Sequence, residues 1–405
     1  MLYAAYQTQA DAMYPLREIA RWLSARLNEA RDGSDGSSLV RALVAVWTLL
    51  GRAGLSHRRP AFGIASVRLG DRTVVVHEES EDATPFATLL HFRKETRGEQ
   101  PPVLLVAPLS GHFATLLRGT VETLLPDHDV YITDWQNARD VSLARGSFGF
   151  ADYVAHLIRF LEVIGPGAHV VAVCQPCVQV LAAVAIMAEG AHPAQPRSMT
   201  LMAGPIDTRV SPTRVNELAA SRPIEWFERN VISSVPPRYA GAFRRVYPGF
   251  VQLVAFMSMN LERHIKAFVD MFDDLAKGDV EKARVTEAFY DEYLAVSDLP
   301  AEFYLDTVRI AFQEHLLPCG RLDCNGQRVD PRAIRQTALL TVEGERDDIC
   351  AVGQTAAAHD LCAGLKPYMK RHHMQAGVGH YGVFSGKRWT TQIYPVVRNV
   401  ILANR

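Results

Sequence analysis

Between residues 103 and 203 the sequence carries four short apolar runs, Val103–Ala107, Asp129–Thr133, His169–Val173 and Met199–Ala203, with stretches of helical periodicity between them. Leu116–Leu125 and Phe148–Ile164 fill the first two intervals, and a run of small residues through Ala188 fills the third. Runs this short and this apolar, spaced by crossover-length helices, fit strands of a parallel sheet covered on both faces. Upstream, Ile64–Leu69 and Thr73–Glu78 read as an antiparallel pair turned at Gly70-Asp71, and His91 lies in a further short strand. From Asp207 to Arg335 almost no strand signal appears, and helical patterns take over at Phe250–Phe272, Val280–Ala295 and Ala301–His315. The β/α rhythm resumes at Ala338–Val342 and near His373–Gln375. The expected fold class is α/β with a mostly parallel central sheet. It divides into an N-terminal helical extension (1–56), a core in two parts (57–206 and 336–405) and a helical cap inserted between them (207–335).

In the extension, Leu2, Tyr6, Met13, Leu16, Ile19, Ala20, Leu23 and Leu27 recur at helical spacings. The loop DGSDGSS then separates a second apolar helix at about 39–51. Such helices either pack on the core or dock on an apolar surface. The opening segment lacks the basic start, unbroken apolar stretch and small-residue cleavage site of a secretory signal. No window approaches 18 uncharged apolar residues, so no transmembrane segment is expected. A net charge of -1 with no long basic run gives nucleic acid no electrostatic footprint. Six cysteines in 405 residues are too sparse for a disulfide scaffold, so reduced thiols and a cytoplasmic location are expected.

The segment HVVAVCQPCVQVLAAVAIMAEG carries the chemistry. An apolar strand ends at Cys174 and a helix of small residues begins almost at once. A residue at such a strand-to-helix turn stands up from the sheet, with the positive end of the helix dipole aimed at it. That favours a thiolate, and it places the amide of Gln175 to donate to an oxyanion. The match to G-x-S-x-G is partial, because Ala172 and Pro176 hold the glycine positions. Cys174 and Cys177 also form C-x-x-C, which admits a redox pair, and a zinc site with Cys319 and Cys324 or a purely structural thiol are further readings. Cys177 would fall one turn into the helix and face the packing, so Cys174 is the preferred nucleophile.

After the cap, TALLTVEGERDDICAVGQT puts Asp347 and Asp348 in a loop just beyond a strand, where an acid can orient a histidine. Asp347 is preferred from its spacing after Gly344, and Asp348 suits the cap of a following helix. HHMQAGVGHYGVFSG then places His380 in a glycine-flanked loop. The order nucleophile, acid, histidine is that of α/β hydrolases. A second oxyanion donor is expected from the loop APLSGHFATLL, at Ser110 or Gly111, with His112 as a polar pocket residue. For substrate binding the candidates are His112, Trp135, Trp226, Phe250 and Phe256. More widely, the aromatic and apolar set Trp226, Phe227, Tyr239, Phe243, Tyr247, Phe250, Phe256 and Met257 is expected in part to line a path to Cys174.

At these motifs the chain resembles the intracellular poly(3-hydroxybutyrate), or polyhydroxyalkanoate, depolymerases. The resemblance rests on VAVCQPCVQVLAAVAIMAE, TALLTVEGERDDICAVGQT and GVGHYGVFSGKRW, and extends to MLYAAYQTQADAMYPLR and YITDWQNARDV. It implies an α/β-hydrolase fold, a cysteine nucleophile matching Cys174, an acid matching Asp347 and a histidine matching His380. It also implies hydrolysis of amorphous storage polyester in the cytoplasm, with the granule surface and the polyester chain as partners and no cofactor or metal. Homo-oligomerisation is left open. Two other readings remain. A polyhydroxyalkanoate synthase-like acyltransferase would carry G-x-C-x-G-G, whose glycines are absent here. A non-catalytic granule-associated protein would not need a complete Cys, Asp and His set.

Overall fold

The computed structural model describes residues 2–31, 38–96, 98–259 and 261–405. Most of the interhelical loop DGSDGSS therefore lies outside the described residues. A nine-stranded sheet organises the chain. Its strands are β1 (Ser66–Leu69), β2 (Arg72–Ala83), β3 (Ala87–Lys94), β4 (Pro102–Val106), β5 (Asp129–Trp135), β6 (His169–Val173), β7 (Ser198–Met202), β8 (Ala338–Gly344) and β9 (Lys370–Gln375). The spatial order is β1-β2-β3-β5-β4-β6-β7-β8-β9. The pairs up to β3–β5 are antiparallel, and every pair from β5 to β9 is parallel. This is the mostly parallel sheet expected from the apolar runs, in the α/β-hydrolase fold that the family resemblance implied. Every residue of β6, β7 and β8 is buried, as strands covered on both faces must be. The β1–β2 hairpin closes through Gly70 at φ +59°, a conformation open to glycine without strain.

After α1 (Leu2–Arg31), α2 (Ser38–Arg52) and α3 (Arg118–Leu124), the next two helices set the layers around the nucleophile strand. In α4 (Phe150–Ile164), Phe150, Tyr153, Val154, Leu157, Phe160 and Leu161 recur at three- and one-residue steps and form one buried face. In α5 (Cys177–Glu189) nearly every side chain is buried, and the run of Ala and Val lets it lie close to the sheet. Chain direction reverses at the centre: from β4 it steps to β5 on one side, then crosses back to β6 on the other. In open α/β sheets the crevice beyond the carboxyl ends of strands at such a switch point is where ligands bind. Here that crevice lies between the loop after β4 and the turn after β6.

The segment between β7 and β8 is largely helical, with α6 (Arg214–Ser221), α7 (Ile224–Asn230), α8 (Gly249–Met259), α9 (Leu261–Lys277), α10 (Val280–Tyr293) and α11 (Ala301–Thr307). It also holds strands that the sequence did not announce. Leu299–Pro300, Arg245–Tyr247 and Ser233–Ser234 form a small antiparallel sheet, and Asp323–Cys324 pairs with Gln327–Arg328. Strands of two or three residues are too short for a period-2 pattern to register. The N-terminal helices Leu2–Arg31 and Ser38–Arg52 pack on this region: Arg52 pairs with Glu287 and Asp291, and the buried Tyr3 hydroxyl donates to Asp298 at 2.6 Å. No helix among the described residues is long and apolar enough to cross a membrane.

Candidate active site

Cys174 directly follows β6 and has φ +68°. A non-glycine residue in this left-handed region is strained by about 1–2 kcal/mol, a cost usually tolerated only where function or packing demands it. The strain lets the strand turn into α5 within three residues. The Cys174 amide still donates to the Met202 carbonyl at 2.7 Å, and its own carbonyl accepts from the Cys177 amide at 3.1 Å. The loop after β7 passes against this turn through Gly204. A Cβ at 204 would lie 2.2 Å from the Cys177 Cβ and 2.3 Å from its sulfur.

The two cysteines are separated by their surroundings. The Cys177 thiol is fully buried against the carbonyls of Ala172 (3.5 Å) and Met202 (3.6 Å). Burial, then the neighbouring Cys174, pushes its pKa well above the ordinary thiol value, so Cys177 stays a neutral packing group. Cys174 is only half-buried and opens onto a cavity.

Asp347 lies three residues past β8. Its Oδ1 accepts from the amides of Ile349 (2.9 Å) and Cys350 (2.8 Å), and its Oδ2 meets His380 Nδ1 at 2.8 Å. The carboxylate is thereby fixed in one orientation. Buried Glu343 braces the same loop by accepting from the amides of Gly353, Thr355 and Ala356 at 2.8–2.9 Å. The acid and histidine loops are joined by the Arg346 amide, which donates to the Val378 carbonyl at 2.9 Å. Gly344 allows the approach, since a Cβ there would lie 2.7 Å from that carbonyl. Asp348 is exposed, and the residues after it form turns until the short helix Ala358–Leu361, so its expected helix-capping place is absent.

His380 is buried at the start of a 3₁₀ turn. Burial disfavours its charged form, but the Asp347 carboxylate and then Cys174 outweigh it and hold the pKa well above the usual histidine value. With Nδ1 committed to Asp347, Nε2 is left for the thiol. The ring is therefore placed to take the thiol proton, as a nucleophilic cysteine requires of its base.

The cavity at Cys174 has a volume of about 350 Å³. Its floor includes Leu109, Ser110 and Gln175. Its walls come from Val215 and Leu218 on α6, Phe227 on α7, Phe256 on α8, and Phe303 and Tyr304 on α11. Tyr304 stacks on Tyr247 at 3.9 Å between ring centroids. A capping box at Thr213 starts α6, and the Thr213 hydroxyl also donates to the Ile349 carbonyl, tying this wall to the acid loop.

Several expected contact residues lie elsewhere. Trp135 donates its Nε1 hydrogen to the Ala107 carbonyl at 2.8 Å and stacks on Tyr153, inside the sheet packing. Phe250 is stacked by Tyr6 at 4.0 Å and covered by Tyr3. Trp226 packs outside the cavity beside Phe227, and buried His112 sits against Tyr293 with a pKa lowered to about 4 by burial. Of the five substrate-binding candidates only Phe256 lines the cavity, and from the wider aromatic set Phe227 and Tyr247 line it as well. In the loop after β4, Ser110 lines the cavity, whereas Gly111 is tied to the cap by accepting from the Ser297 amide at 2.9 Å. The Leu109 amide faces the nucleophile turn and donates to the Gln175 side-chain oxygen at 3.4 Å. Sequence reading missed Leu109. Its position three residues past the end of β4 was the available signal. Val215, Leu218, Phe303, Tyr304 and Phe312 were also missed, because helical periodicity marks a face without saying what it meets.

A family model described as PHB de-polymerase C-terminus matches residues 203–405, half of the chain, including Asp347, His380 and the cavity walls but not Cys174. No curated protein matches the chain. Among solved structures, a thermophilic esterase from Thermogutta terrifontis is similar at 15% identity over 80% of this chain and 98% of that one, with a TM-score of 0.41. A 2-hydroxy-6-oxo-6-phenylhexa-2,4-dienoate hydrolase from Rhodococcus sp. strain RHA1 aligns at 10% identity over 81% and 99%, TM-score 0.45. A bromoperoxidase from Bacillus anthracis aligns at 11% over 84% and 99%, TM-score 0.43.

Proposed function

The chain belongs to the PHB de-polymerase C-terminus family, and from that premise we propose that it hydrolyses the ester bonds of amorphous poly(3-hydroxybutyrate) through Cys174, His380 and Asp347. The observation that carries this reading is the hydrogen-bonded His380–Asp347 pair beside a strained, half-buried Cys174 at the foot of an apolar cavity. A polyester chain offers ester carbonyls between short apolar side branches, which suits aromatic and aliphatic walls with few polar groups.

In the proposed reaction the Cys174 sulfur attacks an ester carbonyl. The amides of Gln175 and Leu109 donate to the developing oxyanion, and the side chain of Gln175 must turn aside as the substrate enters. Losing one such donor typically costs ~3 kcal/mol. The alcohol half leaves with a proton from His380. Water, deprotonated by the same ring, then cleaves the thioester and frees a 3-hydroxyacid or its oligomer. Asp347 holds the ring in the required tautomer throughout. The chemistry needs no cofactor.

Support for work at an insoluble surface comes from the helices around the cap. The adjoining N-terminal helices and α9 expose Ile19, Trp22, Leu39, Leu43, Leu261, Ile265 and Val269, each about half or more accessible. Large apolar side chains gathered on neighbouring elements mark a contact surface more often than chance exposure does. We assign this face to the polymer granule. Incubation with amorphous granules should release soluble 3-hydroxyacids. Release of CoA from 3-hydroxybutyryl-CoA instead would identify an acyltransferase, and no product in either assay would identify a non-catalytic coat protein.

A further inference from the structure

We infer that a second cavity, walled by His57, Arg58, Arg59, Asn137, Arg139 and Asp140, binds a small oxyanion, a carboxylate or a phosphate head group. It has a volume of about 340 Å³ and shares no lining residue with the cavity at Cys174. The inference therefore stands whether or not the chain cleaves polyester.

Arg139 is the centre of the site. It is only 8% exposed, and its Nε has no hydrogen-bond partner among the described residues. The guanidinium lies over the Tyr239 ring, 4.3 Å from its centroid. Its nearest carboxylate contact is Asp140 Oδ1 at 3.7 Å, on a half-exposed side chain. Arg139 also meets the Tyr3 hydroxyl and lies within electrostatic reach of buried Asp298, whose oxygens accept from that hydroxyl at 2.6 Å and from the Gly249 amide at 2.9 Å, so the guanidinium has no direct carboxylate fork of its own. A buried guanidinium without a bidentate anion is costly, and its planar fork matches carboxylate and phosphate oxygens.

The other walls fit the same ligand. Arg59 is neutralised by Asp134 (2.7 Å) and Glu78 (2.8 Å), and it forms a fixed side rather than a ligand. Arg58 is exposed at the rim and adds positive charge. The His57 Nδ1 is buried without a partner, while its Nε2 meets the Tyr6 hydroxyl at 2.8 Å. Burial, then Arg139, keeps the ring neutral, with a pKa lowered to about 3. A phenol donating to Nε2 leaves the ring proton on Nδ1, where it is free to donate.

The geometry is held in advance. Asn137 Oδ1 accepts from the amides of Asp298 (3.0 Å) and Arg139 (3.2 Å), and its Nδ2 donates to the His57 carbonyl at 3.3 Å. The Arg139 carbonyl accepts from the Gly241 amide at 2.8 Å. Two sequence segments that contribute nothing to the Cys174 cavity meet here, LYAAYQ through Tyr6 on His57 and YITDWQNARD through lining residues within 135–140.

The test uses the full chain, titrated calorimetrically with inorganic phosphate and separately with 3-hydroxybutyrate, at ionic strength held constant with chloride. Saturable binding is expected for at least one probe. It should weaken at least tenfold in Arg139→Gln and several-fold in Arg58→Gln, and it should persist in Cys174→Ala. The stronger probe identifies the head group. Because Arg58 is exposed, its variant keeps the fold even if Arg139→Gln does not. No saturable binding of either probe, or binding by Arg58→Gln and a folded Arg139→Gln equal to the parent, would overturn the assignment. Loss of binding in Cys174→Ala alone would also overturn it, by moving the ligand to the other cavity.

Discussion

Replacing Asp347 by Asn tests the proposed chemistry through one hydrogen bond. Asp347 Oδ1 accepts from two backbone amides, Ile349 and Cys350, and Oδ2 faces His380 Nδ1 at 2.8 Å. An asparagine at 347 can satisfy those amides only with its carbonyl oxygen. Its NH₂ group must then face Nδ1, because the opposite orientation would set donors against two fixed N–H groups. Nδ1 becomes the acceptor, the ring proton moves to Nε2, and the base is protonated on the side that should receive the thiol proton. The charge that stabilises the imidazolium disappears at the same time. In serine triads this change costs about 10⁴-fold in kcat. A thiol gives up its proton more readily, so the expected loss in kcat/KM is about 10²–10⁴-fold, or ~3–5 kcal/mol. The rate of Cys174 alkylation at neutral pH should fall in parallel. The assay is hydrolysis of a short soluble ester, with a melting curve to confirm that the variant is folded. Asp348→Asn, on an exposed side chain, should stay within about threefold of the parent. A folded Asp347→Asn variant within tenfold of the parent, or equal losses at both aspartates, would refute the reasoning.

Cys174→Ala should abolish hydrolysis, whereas Cys177→Ala should retain at least a tenth of it. Peptide mapping after brief alkylation should find Cys174 modified before Cys177, and the reverse order would refute the assignment. His91 sits between Glu81 (2.8 Å) and Asp129 (2.8 Å); burial opposes its charge, yet the two carboxylates raise its pKa. Its stabilising contribution is therefore full below the unfolded histidine value of about 6.5 and is lost as pH rises through the folded value. His57, His112 and His128, whose pKa values are lowered, act in the opposite sense, so the quantity to read is the difference between His91→Gln and the parent. Melting temperatures at pH 6 and above should show the destabilisation by His91→Gln shrinking as pH rises; a constant difference would refute the charged state. Leu43→Ser with Ile265→Ser should cut activity on granules at least several-fold while a soluble ester is hydrolysed at the parental rate, and equal losses on both substrates would remove the granule face.

The core was legible because its strands are buried on both faces, and a run such as HVVAV can satisfy that environment in few other ways. The order Cys174, Asp347, His380 was legible for a related reason, since loops at the carboxyl ends of parallel strands come together at one edge. What the pattern did not contain was conformation and partnership. Nothing in VCQPC states that Cys174 takes φ +68°, or that the Leu109 amide turns toward the Gln175 side chain. The cavity at Arg139 depends on residues 6, 57, 139 and 239, which only the folded chain brings together.

The placement of Phe250 shows why aromatic content in the cap did not translate directly into substrate contacts. A cap helix lying over a sheet has one face for the cleft, and its remaining apolar surface must be covered by something else. In α8, Phe256 faces the cleft, while Phe250 faces the N-terminal helix, where Tyr6 stacks on it and Tyr3 closes the edge. Tyr3 then reaches past it to Asp298, whose other oxygen takes the amide of Gly249 at the start of α8. The N-terminal helix thus fixes the end of the helix that supplies part of the cavity wall. Its tyrosines account for aromatic surface that a reading of the cap alone would have given to the polymer, and its outward face, with Ile19 and Trp22, remains available for that role.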